Sequence, residues 1–285
     1  MTTTLHIAPE TLRQRVRELP AMPEAVRRVQ ATLQDEDART EDCAVHIARD
    51  QALAAKTLRL ANSAFYGVPG RVSSIQDAVQ VLGLRTLSTL LQAAALTSGF
   101  GGSVSKAFQA GAFWRNSIGT AICARALASE LRLDPNVAFT AGLLHDIGRL
   151  ALATHFPEQF NAALALQQRD KLAPLQAERQ VMGTDHAQVG ALVAAHWNYP
   201  ADIAQAIAQH HVPEPRRAPG VTLIDAVHVA DAIAHAVAVS TKKDDKLPPL
   251  APPAWERLGL GSEQYLVVVE QTKAGVESLC QALGV

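Results

Sequence analysis

Ten residues constrain this chain most: Ala141-Gly142-Leu143-Leu144-His145-Asp146-Ile147-Gly148-Arg149-Leu150. They place an adjacent imidazole and carboxylate at the end of a strongly apolar segment, just ahead of a glycine. Neighbouring side chains on a continuous helix point about 100° apart, so the pair converges on one point only if the helix ends there. Buried without partners, two such groups cost several kcal/mol. A viable fold must therefore bring further polar groups to this spot. His and Asp are both ligands for borderline or hard divalent cations. The simpler alternative is a helix-end histidine beside a capping aspartate.

Candidate partners lie downstream. They are Asp185-His186-Ala187-Gln188-Val189-Gly190, the pair His210-His211, and Asp231 within Val229-Ala230-Asp231-Ala232. Cysteine is not among them: Cys43, Cys123 and Cys280 are widely spaced and odd in number, which argues against a disulfide framework or a thiolate zinc site. Of the 285 residues, 48% are hydrophobic, and Ala and Leu dominate, as in an all-α protein. With 26 basic against 27 acidic residues and only 5% aromatics, the chain lacks both a bulk basic footprint and stacking platforms for nucleic acid. The local cluster Arg13, Arg15, Arg17, Arg27 and Arg28 reads as a solvated helix face. Met1 to His6 has no basic start or apolar run, and no apolar stretch approaches membrane-spanning length. The expectation is a cytoplasmic protein with no membrane partner.

Start and stop signals divide the chain into helices. A short helix over 8–18 precedes Leu19-Pro20-Ala21-Met22-Pro23, and the next is expected from Pro23 to about Leu33. Thr40 opens a helix through Ala48, and Asp50 one through Ala61. Ser73 or Ser74 caps Ile75–Leu82, which Gly83 closes. A further apolar helix is expected over Leu84–Thr97, and Gly99–Ser105 reads as a linker. Long helices follow over Lys106–Leu131, Pro157–Gln168, Pro174–Met182, Asp185–Trp197, Pro200–His211 and Val221–Val239. On the last of these, His228, Asp231 and His235 are spaced to share a face. Thr241–Pro253 reads as a stiff solvated loop, and Ser262–Leu283 as a closing helix.

The N-terminal half carries Leu19-Pro20 with Pro23, Asp50, the run Asn62-Ser63 ahead of Tyr66, and Ser73-Ser74-Ile75 with Ala78, Leu82 and Gly83. Together with the His-Asp pair these resemble the HDOD domain, an output domain of bacterial signalling proteins within the HD metal-dependent phosphohydrolase superfamily. The resemblance spans roughly residues 15–235. It implies a compact multi-helix bundle with a C-terminal helical extension. Residues 1–104 would form the N-terminal helical part, 105–240 the HD-like part, and 241–285 a proline-rich loop and helix.

Carried over by position, the resemblance implies His145, Asp146 and Asp231 as core metal ligands, with His186, His210 and His211 as extra ones. The leading histidine of the pattern falls on Asn116, and the lysine that often follows the pair is Arg149. An amide oxygen is a weak neutral ligand, so the site is expected to be degenerate, with Asn116 free to bond His145 or a water. No cofactor is expected; a retained metal would be iron, manganese, zinc or nickel. Asn62, Ser63 and Tyr66 mark a second surface, for a partner or ligand, with helix-end hydrogen bonding as the plainer role for the first two. The HD-GYP pattern is absent, since His210-His211 is followed by Val212-Pro213-Glu214-Pro215. The function expected is a non-catalytic signalling module acting through a protein partner, with homo-oligomers compatible. The alternative is a metal-dependent phosphohydrolase of nucleotides or cyclic dinucleotides.

Overall fold

The computed structural model describes residues 5–19, 27–28, 31, 40–66, 70–84, 86–91, 104–213, 220–239 and 250–285. Fourteen α-helices can be bounded among them, and they contain no strand. The N-terminal helices are α1 (Pro9–Arg17), α2 (Thr40–Ala48), α3 (Gln51–Ala61) and α4 (Ile75–Leu82), with a 3₁₀ turn at Ala64–Tyr66. The central helices are α5 (Ala110–Leu131), α6 (Pro135–Leu144), α7 (Ile147–His155), α8 (Pro157–Asp170), α9 (Pro174–Met182), α10 (His186–His196), α11 (Ala201–Gln209) and α12 (Leu223–Ala234). A π turn over His235–Val239 follows, then α13 (Pro252–Leu258) and α14 (Ser262–Leu283).

Several boundaries follow from local chemistry. Ser74 accepts the Asp77 amide at 3.0 Å to cap α4, and Gly83 ends that helix at φ 73°. Asp134 accepts from the Asn136 and Val137 amides ahead of the first-turn Pro135. Asp185 caps α10 through the Gln188 amide. Asp50 accepts the Leu53 amide at 3.1 Å at the head of α3.

The sequence expectation fails in three places. Pro252-Pro253 does not continue a loop; proline fits the first turn of a helix, where its missing N–H is not needed, and the pair opens α13. The helix expected over Val221–Val239 stops at Ala234 and widens into the π turn. The helix expected from Lys106 begins only at Ala110. The expected Pro23–Leu33 helix and the segments 99–103 and 241–249 lie largely or wholly outside the described residues, whereas 86–91 are helical.

The central helix α5 packs along α6, α12 and α14, so three parts of the chain meet on it. One apolar cluster joins Leu12, Ile47, Leu60 and Leu82 to Phe139, Leu143 and Leu152, and on to Val276 and Leu279 of α14. A second joins Leu127 of α5, Val229 and Ile233 of α12, and Ala254 and Leu258 of α13. Arg257 ties α13 down by donating to Asp225 Oδ1 through Nη2 at 2.5 Å and Nε at 3.2 Å. Oδ2 of the same carboxylate accepts the Thr222 amide and hydroxyl at 3.0 and 2.8 Å, a capping box at the start of α12.

The tightest crossing is between α7 and α10, at Gly148 and Gly190. A Cβ on Gly148 would overlap the His186 carbonyl oxygen and come within 2.6 Å of the Gly190 amide nitrogen. Backbone atoms cannot yield as a side chain does. Gly148→Ala is therefore expected to cost about 2 kcal/mol or more, read as a lower urea midpoint.

A second prediction concerns acid. Burial raises the Asp225 carboxyl, but Arg257 and Thr222 outweigh it and hold the group below the usual carboxylate range. A depressed folded pKa contributes stability above the unfolded value of about 3.9 and loses it as pH falls through the folded value. The stability gap between wild type and Arg257→Met should thus be widest near neutrality and narrow as pH drops below about 4. A gap that stays constant in urea titrations across that range would show that the pair does not couple α13 to α12.

Candidate metal centre

The chain breaks at His145 and Asp146, between α6 and α7. His145 keeps helical angles (φ −52°, ψ −39°), whereas Asp146 turns to φ −100°, ψ 9°. That turn separates two helices and lets adjacent side chains converge. Asp146 occupies the N-cap position of α7, yet its side chain caps nothing. The reading of a capping aspartate is therefore overturned: its carboxylate points inward.

Two sets of groups meet on that carboxylate. Oδ1 lies 3.2 Å from His186 Nε2 and 3.7 Å from His210 Nε2. His211 Nε2 lies 2.7 Å from His186 Nε2 and completes this set. Donor atoms of Asp146, His186, His210 and His211 all fall within 4.8 Å of one another. Oδ2 faces the other way, 3.8 Å from His145 Nε2 and 3.2 Å from Arg149 Nη1. Here His145 Nε2 lies 3.3 Å from Asp231 Oδ1, and Asn116 donates its amide to the same oxygen at 3.1 Å. Asn116 therefore bonds Asp231 rather than His145, and gives an N–H where a ligand would offer a lone pair.

The backs of the imidazoles are tethered. His145 Nδ1 is 2.8 Å from the Gly142 carbonyl and His210 Nδ1 is 2.7 Å from the Ile207 carbonyl. A carbonyl only accepts, so each Nδ1 carries a proton and each ring turns its Nε2 inward; against burial, the Asp146 and Asp231 carboxylates raise the His145 imidazole. His186 Nδ1 is 2.7 Å from Glu178 Oε2, which also accepts the His186 amide at 2.8 Å. His228 supports the group from behind, donating from Nδ1 to the His210 carbonyl at 2.6 Å and accepting the Ala251 amide at Nε2. His228 and Asp231 are one turn apart on α12 and serve different neighbours, and His235 begins the π turn.

The electrostatics follow from burial. His145, Asp146, His186, His210 and Asp231 are at most 6% exposed, and His211 is half-buried. Burial opposes charge on every one of them. For His186 the carboxylates of Glu178 and Asp146 outweigh it and push the imidazole up to about 10. Asp146 and Asp231 are held well below the usual carboxylate range, against burial, by the imidazoles around them and, for Asp146, Arg149. His210 and His211 are lowered, by burial first, and stay neutral.

Whether these residues suit a metal turns on their unmet valences. His145 Nε2, Asp146 Oδ1 and His210 Nε2 are buried with no hydrogen-bond partner. Inward lone pairs without donors cost free energy unless something electrophilic sits among them. Three imidazole nitrogens and one carboxylate oxygen form a ligand set suited to zinc, iron, manganese or nickel. The donor set fits such an ion.

Sequence reading did not find Glu178, Thr222 or Arg257. Glu178 precedes the buried Met182 by one turn on the apolar side of α9, and that misplaced charge was the available signal. Of the second predicted surface, Asn62 is a clamp: it donates to the Leu58 and Val72 carbonyls and accepts the Val72 amide. Ser63 is buried. Tyr66 lines a separate cleft. On α1, Arg13 and Arg15 pair with Glu10 and Glu18, which neutralises part of the basic cluster.

Manganese or zinc titrated into chelator-treated protein should raise its stability by about 2.7 kcal/mol at a hundredfold excess over Kd. Calorimetric melting would show the shift lost in His186→Ala and Asp146→Ala but kept in Asn116→Ala, whose amide belongs to the other set. Equal shifts in all four proteins would remove the assignment of ligands.

Two solved structures share this fold, and a third protein is similar in sequence. The structure of an HDOD domain protein with unknown function from Geobacter sulfurreducens superposes with a TM-score of 0.75 at 26% identity, covering 95% of this chain and 99% of that one. A Shewanella amazonensis SB2B protein, provisionally named a phosphohydrolase, gives a TM-score of 0.66 at 28% identity over 96% and 93%. An uncharacterized protein of Treponema pallidum is 27% identical over 199 residues, 69% of this chain but only 38% of that protein's length. The sequence itself matches the HDOD domain family over residues 19–213, a stretch that contains the broken α6–α7 corner and every histidine of the inward-facing cluster. The chain belongs to the HDOD domain family.

Proposed function

We propose that this protein is a non-catalytic regulatory module of bacterial signal transduction, acting through a protein partner, whose core is braced by one divalent metal. The observation that carries this reading is the burial of the inward-facing groups: the five most enclosed are between 0 and 6% exposed. A phosphodiester must reach the metal to be hydrolysed, and of the four groups that would hold it Asp146, His186 and His210 are buried and only His211 is half-exposed. The degeneracy at Asn116 falls on one side only. It puts an amide N–H on Asp231, beside His145, where a ligand would offer a lone pair, and leaves Asp146, His186, His210 and His211 able to hold an ion. When bound, such an ion would neutralise Asp146 and bind the Nε2 lone pairs of the surrounding imidazoles. That would fix the α6–α7 corner against α10 and α11.

The second reading, a metal-dependent phosphohydrolase, draws on the same residues and on the provisional name of the Shewanella relative. An ion there would supply Lewis acidity and an activated water. Against it stands the enclosure of the ligands.

Metal per chain, measured on untagged protein purified without chelator, should be close to one. Asn116→His should raise that figure or tighten binding, because it returns a lone pair beside Asp231. Metal-loaded wild type should show no turnover of bis(p-nitrophenyl) phosphate or cyclic dinucleotides above the metal-free protein. Turnover that follows metal occupancy and vanishes in Asp146→Ala would establish the phosphohydrolase instead.

A further inference from the structure

The side of α5 away from the metal centre carries a cleft of about 480 Å³. Phe65 and Tyr66 from the 3₁₀ turn, Ile122, Arg125 and Ser129 from α5, and Gly275 from α14 form much of its wall. Arg125 is nine residues beyond Asn116 on the same helix. That spacing puts it roughly 180° round the axis and roughly 14 Å along it, so cleft and metal centre are separate.

The arginine is built in. Its guanidinium carbon sits 5.7 Å from the Phe65 ring centre and 5.6 Å from that of Tyr66, within cation–π range of both. The two rings hold each other edge to face at 4.8 Å. Phe65 is fixed further by its amide, which donates to Ser278 Oγ at 3.3 Å. Gly275 makes room for it: a Cβ there would lie 2.6 Å from Phe65 Cδ2 and 3.0 Å from Ile122 Cδ1.

Two donors in this wall lack a well-formed hydrogen bond. Arg125 Nη1 and the Tyr66 hydroxyl are buried with no partner atom in bonding geometry, the guanidinium lies beside the phenol oxygen, and among the described residues no carboxylate pairs with Arg125. A guanidinium cannot shed its proton, so an enclosed N–H without an acceptor persists as a cost. An oxygen anion entering the cleft would accept from both groups at once. The volume suits a small molecule rather than a lone ion, and the wall mixes apolar and polar surface as such sites do.

We propose that this cleft binds a small organic oxyanion, a carboxylate or phosphate monoester on an apolar body. Its charged end sits on Arg125 and Tyr66 and its body lies between Ile122 and α14. Such a ligand touches the 3₁₀ turn, α5 and α14 together, so its occupancy bears on how the C-terminal helix is held. The assignment stands on the cleft alone and does not depend on the metal reading.

The test is titration calorimetry on the metal-free 285-residue chain with three probes: phenyl phosphate, benzoate and inorganic phosphate. Phenyl phosphate or benzoate should bind saturably and more tightly than inorganic phosphate, and the tighter of the two tells which anion the site prefers. Affinity should fall at least tenfold in Arg125→Gln and several-fold in Tyr66→Phe. Tyr66→Phe removes one oxygen only and serves if Arg125→Gln does not fold. No saturable binding of any probe at millimolar concentration overturns the proposal. So does binding that both variants, shown folded by circular dichroism, leave unchanged.

Discussion

The contact on which the functional core depends is the crossing of α7 and α10 at Gly148 and Gly190. With no side chain between them, the His186 carbonyl rests against Gly148. That brings the first residue of α10 to within 3.2 Å of the carboxylate two residues before Gly148. A methyl group at this crossing would force the backbones apart by more than a hydrogen bond tolerates, and the convergence of Asp146 on the histidines would be lost.

Once those elements are close, orientation comes from behind. The Gly142 and Ile207 carbonyls, three residues before His145 and His210, lock the two imidazoles with Nε2 inward. Glu178 does the same for His186 with a charged acceptor, a stronger tether than a carbonyl. The Asp146 carboxylate then divides the interior, one oxygen toward each set of groups. Asn116 changes one set and spares the other, so one substituted position is a poor measure of whether a metal site survives.

The helix α5 has two working faces. Asn116 looks toward Asp231, and Arg125, half a turn round, stacks on two aromatic rings at the junction with α14. Because α5 also packs along α6 and α12, it touches the polar core around Asp231, the cleft and the C-terminal helix alike.

Much of the architecture was legible in the sequence because it rests on short-range chemistry. The cap at Ser74, the start at Asp185, the glycine stop at Gly83, and the proline starts at Pro157 and Pro174 act within a turn of their own position. Pro252-Pro253 misled for the same reason: local chemistry permits a helix start or a loop, and only the Asp225–Arg257 pair and the apolar seat of Leu258 select the helix. The residue types of a metal site were equally plain, since His and Asp in apolar sequence demand partners. Which partners they find was decided by the tertiary structure alone. Asn116 bonding Asp231, Glu178 backing His186, and Arg125 over Phe65 and Tyr66 are each set by helix crossings between residues far apart in the chain. Periodicity says which face of a helix is buried; it carries no information about what waits on the other side.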